Sequence, residues 1–150
     1  SRQMVAVRMD SEIQKLKDLT GKMIAVQETS KAEEYFLRSD FEGIPDVSLV
    51  YCFSNMDEVF AALRKNYVEA ICGHESALIS FINTAPDEYR LLDESFLYSA
   101  LGVAFDIQYD EEFVEELFKT LGDMMNDGTI AAIVGKYGLD AEKSLGRGND

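Results

Sequence analysis

The feature that most constrains this chain is a threefold alternation of short apolar runs with amphipathic stretches. Met23 to Gln27 is an apolar run of the kind buried on both faces of a parallel sheet, and Lys31 to Ser39 follows with Ala32, Tyr35 and Phe36 on one helical face. Val47 to Phe53 leads in the same way into Met56 to Asn66, and Glu69 to Gly73 into Glu75 to Asn83. Parallel strands cannot be joined by a tight hairpin, so each pair needs a crossover, and a helix supplies it. The pattern therefore predicts an α/β fold with a mainly parallel sheet flanked by helices.

Flanking segments complete the outline. Gln3 to Arg8 alternates as a strand, and Ser11 to Leu19 reads as a short helix capped by Ser11 and ended at Thr20-Gly21. Two further strands are expected at Tyr89 to Asp93 and Phe96 to Asp106. A long helix follows from Asp110 to Asn126, with Phe113, Val114, Leu117, Leu121 and Met124 in one stripe. Asn126-Asp127-Gly128 stops it, and a last helix over Thr129 to Tyr137 ends at Gly138. No Pro- or Ser-rich linker, internal repeat or low-complexity tract interrupts the chain. The expected organisation is a lobe over residues 1–106 with crossover strands at about 3–8 and 100–106, a helical segment over 107–142, and a frayed tail over 143–150.

Charge narrows the partners. Twenty-eight acidic residues against fourteen basic ones give a formal charge of -14, which repels phosphate backbones and anionic lipid, so nucleic acid is excluded as a partner. Solvated helix faces such as Glu111-Glu112 and Glu115-Glu116 account for the excess. No apolar run reaches the eighteen or so residues of a membrane span. The first residues, Ser1-Arg2-Gln3, have no signal-peptide pattern, but a mature protein would lack one too, so they leave the compartment open.

In a parallel sheet, ligands gather beyond the carboxyl ends of the strands, where helix N-termini present free N–H groups. That rule selects Gln27-Glu28-Thr29-Ser30, Phe53-Ser54-Asn55 and Gly73-His74-Glu75. Thr29 and Ser30 carry hydroxyls where they could hold an anion together with backbone amides. Yet Ser30-Lys31-Ala32-Glu33 is also a capping box that needs no ligand, and Ser54 to Asp57 is a similar cap. His74, the one histidine, sits at a strand-to-helix junction and reads equally as a cleft residue or a hydrogen-bonded structural one.

With no second His or well-spaced Cys beside it, His74 gives no metal site, and no cofactor fingerprint is present. Cys52 and Cys72 end strands that lie about 10 Å apart if the Met23 strand runs between them, too far for a disulfide. Two free, largely buried thiols are expected. The chain carries no GxSxG, HExxH, P-loop or GxGxxG motif, so no catalytic residue is assigned.

Three segments, KLKDLTGKMIAVQETSKAEEYF (15–36), FSNMDEVFAALRKNYVEAICGHESA (53–77) and LFKTLGDMMNDGTIAAIVGKYG (117–138), together resemble the family 3 bacterial extracellular solute-binding proteins. The resemblance is ordered, spans most of the chain and implies the type II periplasmic-binding-protein fold. It implies a non-enzymatic, extracellular, periplasmic or cell-surface module that grips an amino acid or similar small polar solute and delivers it to the membrane subunits of an ABC transporter. The matching region is the second lobe with the C-terminal helices; the first lobe, which in the family supplies an arginine to the solute's carboxylate, has no counterpart here.

By position, Thr29 and Ser30 match the family's pair of ligand-holding hydroxyls. His74 stands where amino-acid binders commonly present an Asp to the ligand's ammonium, and Glu28 where a Gly often precedes the hydroxyl pair. The implied ligand-binding set is Glu28, Thr29, Ser30, Ser54 and His74. The same fold serves as a sensory input domain of membrane-bound signalling proteins and in cyclohexadienyl-dehydratase-like enzymes, so both remain alternatives. Without the first lobe, apolar surface including Phe113, Leu117 and Leu121 would be uncovered, and self-association is expected.

Overall fold

A computed structural model describes residues 1–38, 41–98 and 102–145. The chain divides into two compact units, Ser1–Ser99 and Ala100–Asp150.

The first unit is built on five strands: β1 (Arg2–Arg8), β2 (Met23–Gln27), β3 (Leu49–Phe53), β4 (Ala70–His74) and β5 (Tyr89–Tyr98). Their order across the sheet is β3-β2-β4-β1-β5. β2 runs parallel to β3 and β4, whereas β1 is antiparallel to both β4 and β5. The sheet is thus mixed and mostly parallel, with β1 alone reversed, and it has the β2 strand between the two cysteine-bearing strands as expected.

Helices α1 (Lys31–Leu37), α2 (Met56–Arg64) and α3 (Glu75–Ile82) make the crossovers. α1 sends Ala32, Tyr35 and Phe36 onto the sheet face formed by Val5, Val7, Ile24 and Val26. The opposite face, with Met4, Ala6, Ala25 and Ile71, receives Val59, Ala62 and Leu63 of α2 and Leu78 and Phe81 of α3. Cover on both sides explains why the middles of β1 (Met4–Val7) and β4 (Ala70–Cys72) are buried on both faces, where alternation was expected for β1.

Three expectations change. The region Ser11 to Leu19 forms no α-helix, only a 3-10 turn over Leu16–Leu19, because the Asp18 carboxylate takes the Gln14 and Lys15 amides and the Leu16 amide goes to Glu94. One strand, Tyr89–Tyr98, replaces the two expected there. Its ladder ends where its partner does, at the pair Arg2 with Tyr98, and residues 102–106 are not strand; the rest of the expected 100–106 crossover strand lies outside the described residues. Cys52 is exposed, not buried, since β3 is the sheet's edge strand; Cys72, on central β4, is buried, and both thiols are free.

The second unit contains α4 (Glu111–Asn126), α5 (Thr129–Lys136) and α6 (Ala141–Ser144). Asp110 caps α4 by accepting the Glu112 amide, and Gly128, at φ 86°, turns the chain into α5. α4 buries no residue fully: Phe113 and Phe118 are exposed, and Leu117 and Leu121 are half-buried. Among the described residues, no helix is long and apolar enough to cross a membrane.

Candidate solute site

Because β2, β3 and β4 are parallel, their carboxyl ends share one edge of the sheet, and the three turns singled out in the sequence leave from that edge. Between two of them lies a cavity of about 240 Å³. Ser30 and His74 line it, together with Gln3, Gln27, Met56 and Gly73. Gln3 comes in from β1, whose antiparallel register sets it opposite His74.

Ser30 caps α1. Its hydroxyl accepts from the Glu33 amide at 3.2 Å and donates to the Gln27 carbonyl at 2.6 Å. Glu33 reaches back to the amide of Thr29 at 2.7 Å, one residue earlier than a standard capping box. Thr29 itself has φ 58°, in the left-handed region that a β-branched residue rarely enters. This turn holds Ser30 against the cavity while Thr29 and Glu28 are exposed and do not line it.

Ser54 does not line it either. Its hydroxyl donates to Glu58 Oε2 at 3.0 Å, and the α2 cap is Asn55, which accepts the Glu58 amide at 3.0 Å. The cap expected at Ser54 is therefore one residue later, since Asn55 has the extended backbone that places a side-chain oxygen over the first turn.

His74 ends β4 and precedes α3. Its Nδ1 lies 2.9 Å from the Ser76 hydroxyl, and its Nε2 is hydrogen-bonded to the Ser1 hydroxyl. Burial holds the imidazole pKa below its ordinary 6.5, with Glu75 opposing it, so the ring is neutral at pH 7. The buried Cys72 thiol, also on the lining, has its pKa pushed up by burial and stays protonated. Cys52, exposed as a residue on the edge strand, is raised to about 11 by partial desolvation of its thiol and then by a hydrogen bond to Glu33. Neither thiol is a nucleophile at neutral pH.

Behind this edge, Glu75 forms a buried two-point ion pair with Arg2: Arg2 Nε donates to Oε2 at 3.1 Å and Nη2 to Oε1. It ties the start of β1 to the start of α3. No cluster of His, Cys, Asp and Glu suited to a metal occurs among the described residues.

The lining residues that the sequence did not single out for the site are Gln3, Lys31, Met56, Cys72 and Ala77. Gln27 and Gly73 open two of the turns selected from the sequence, and Lys31 and Met56 begin helices that follow selected turns. Gln3 could not be found by the same rule, because its approach depends on a pairing distant in sequence.

No protein-family model and no curated protein matches the chain. Solved structures do. The substrate binding protein of an amino acid ABC transporter is 25% identical with a TM-score of 0.63, over 91% of this chain and 59% of that one. An ancestral arginine-binding protein bound to arginine is 26% identical with a TM-score of 0.66, over 91% and 59%. A second substrate binding domain from Streptococcus pneumoniae, 16% identical, has a TM-score of 0.72 over 91% and 60%, a likeness of fold. These neighbours are substrate-binding proteins, not enzymes. The chain has the type II periplasmic-binding-protein fold. The chain spans about three-fifths of the length of the structures it matches.

Proposed function

We propose that this chain is a solute-binding module that supplies one wall of a clamp for a small polar solute, an amino acid or a similar compound, and hands it to the membrane subunits of an ABC transporter. The module works outside the cytoplasm, in the periplasm or at the cell surface. The observation that carries the reading is the convergence of Ser30 and His74 on one cavity beyond the carboxyl ends of β2 and β4, in a fold whose relatives bind substrates. Glu28, Thr29 and Ser54 belong to the rim: Glu28 and Thr29 shape the turn that presents Ser30, and Ser54 closes the neighbouring turn. The module also associates with itself through the apolar stripe of Phe113, Leu117 and Leu121.

A thermal-shift screen of amino acids and small carboxylates at millimolar concentration tests the reading, because a ligand that binds only the folded state raises the melting temperature. At least one compound is expected to stabilise the chain, and the double substitution Ser30→Ala, His74→Ala to remove that response. No stabilising compound, or a response unchanged in the variant, would overturn it. Sedimentation as a monodisperse monomer would contradict the self-association.

A further inference from the structure

The chain has twenty-eight carboxylate side chains, yet among the described residues none lines the cavity. Its polar lining is made of neutral groups: the amides of Gln3 and Gln27, the Ser30 hydroxyl and the His74 imidazole. Met56 and Ala77 make the rest of the wall apolar. Lys31 is the one lining residue with an ionised side chain, and its ammonium is held by Glu34 Oε2 at 2.7 Å. The charge next to His74 in the chain, Glu75, is buried in its two-point pair with Arg2. Both nitrogens of His74 face hydroxyls, which can act as donor or acceptor.

A cation entering such a space loses hydration and meets no carboxylate, and an anion meets only the Lys31 ammonium already paired with Glu34, a penalty far larger than for an amide or hydroxyl that finds hydrogen-bond partners. We infer that the cavity selects an uncharged group: the part of the solute seated between Ser30 and His74 is an amide, a hydroxyl or a short apolar chain, and not an ammonium, guanidinium or carboxylate. This rests on the solute-binding reading above and narrows its substrate class. Any charged end of the solute lies outside this cavity, toward the exposed rim of Glu28 and Thr29.

Three fragments of nearly equal size separate the possibilities: propionamide, propionate and n-propylammonium. Each is titrated into the isotope-labelled chain to about 100 mM, the range open to a ligand of so few atoms, while the backbone amide signals of Ser30, Gly73 and Ala77 are followed. Propionamide is expected to move these signals saturably, with the two ions at least about tenfold weaker. Equal response to either ion overturns the charge selection but leaves the solute site standing; no response of these amides to any fragment overturns both. His74→Asp, which places a carboxylate in the wall, is expected to reverse the order in favour of n-propylammonium. An unchanged order in a folded variant overturns the selection too, and the wild-type comparison decides the matter if that variant does not fold.

Discussion

Replacing Glu75 by Gln is the sharpest test of how the edge of the sheet is held. The Arg2 and Glu75 side chains are 7% and 4% exposed, so neither charge has water to fall back on when the other is removed. Breaking a buried pair from one side costs roughly 3–5 kcal/mol, because the surviving charge stays buried. Gln keeps an oxygen that can accept one guanidinium N–H, which puts the expected loss near the lower end, about 3 kcal/mol. For a domain of this size each kcal/mol moves the melting temperature by about 2–4 °C, so a fall of roughly 6–12 °C is expected. Urea denaturation followed by circular dichroism measures the free energy directly, provided the slope with urea is unchanged. The double variant Arg2→Met, Glu75→Met removes both charges and should regain most of the loss. If Glu75→Gln lost less than about 0.5 kcal/mol, as a surface change would, or if the double variant were weaker than the single one, the pair would not be the buried clasp argued from its burial and geometry.

Thr29→Gly should stabilise the chain by about 1 kcal/mol in the same urea assay, since it removes a β-branched residue from φ 58° while the amide still reaches Glu33; a loss of stability would refute the strain. Gly73→Ala should fold normally, because its new Cβ would meet Met56 Cε at 3.5 Å, an ordinary contact, while taking volume from the cavity. Its circular dichroism should match wild type while the response to any stabilising solute weakens, and full retention of that response would argue against the cavity. His74 has a folded-state pKa below its ordinary 6.5, so the folded chain binds fewer protons at that site than the unfolded one. Its contribution to stability is therefore complete above pH 6.5 and is lost as pH falls through the lowered value. Urea midpoints measured from pH 7.5 to 5 should show this acid-side decline in wild type and a smaller one in His74→Asn, and parallel profiles would refute it.

The β-α alternation was readable because period and length carry it: apolar runs too short for helices lie next to stretches with one apolar face, and the three crossovers fall where expected. The placement of β2 between β3 and β4 matches the order assumed in arguing that the two cysteines do not pair, and both are free. What could not be read depends on contacts distant in the chain. β1 carries the same apolar pattern whether parallel or reversed, so its antiparallel run, and with it the approach of Gln3 to His74, is a tertiary outcome. Cys52 looks like a core residue in a run of Val, Tyr and Phe, and only its position on the edge strand exposes it. The Ser11 helix did not form because an acidic side chain, Asp18, takes the Gln14 and Lys15 amides, the second of which a helix begun at Ser11 would have bonded to the Ser11 carbonyl. In the candidate site, the Ser30 cap and the location of His74 were legible from local rules, whereas which of the neighbouring hydroxyls would face the cavity was decided by the unusual backbone of Thr29.

The reversed position of β1 carries a consequence for how the molecule is made. β1 lies between β4 and β5, which follow it in the chain, so its hydrogen-bonding partners emerge from the ribosome long after it does. Until then its apolar middle, Met4–Val7, must wait without its neighbours, and closure of the sheet requires bringing together residues from opposite ends of the unit. Such long-range closure slows folding and leaves the Met4–Val7 run exposed in the meantime.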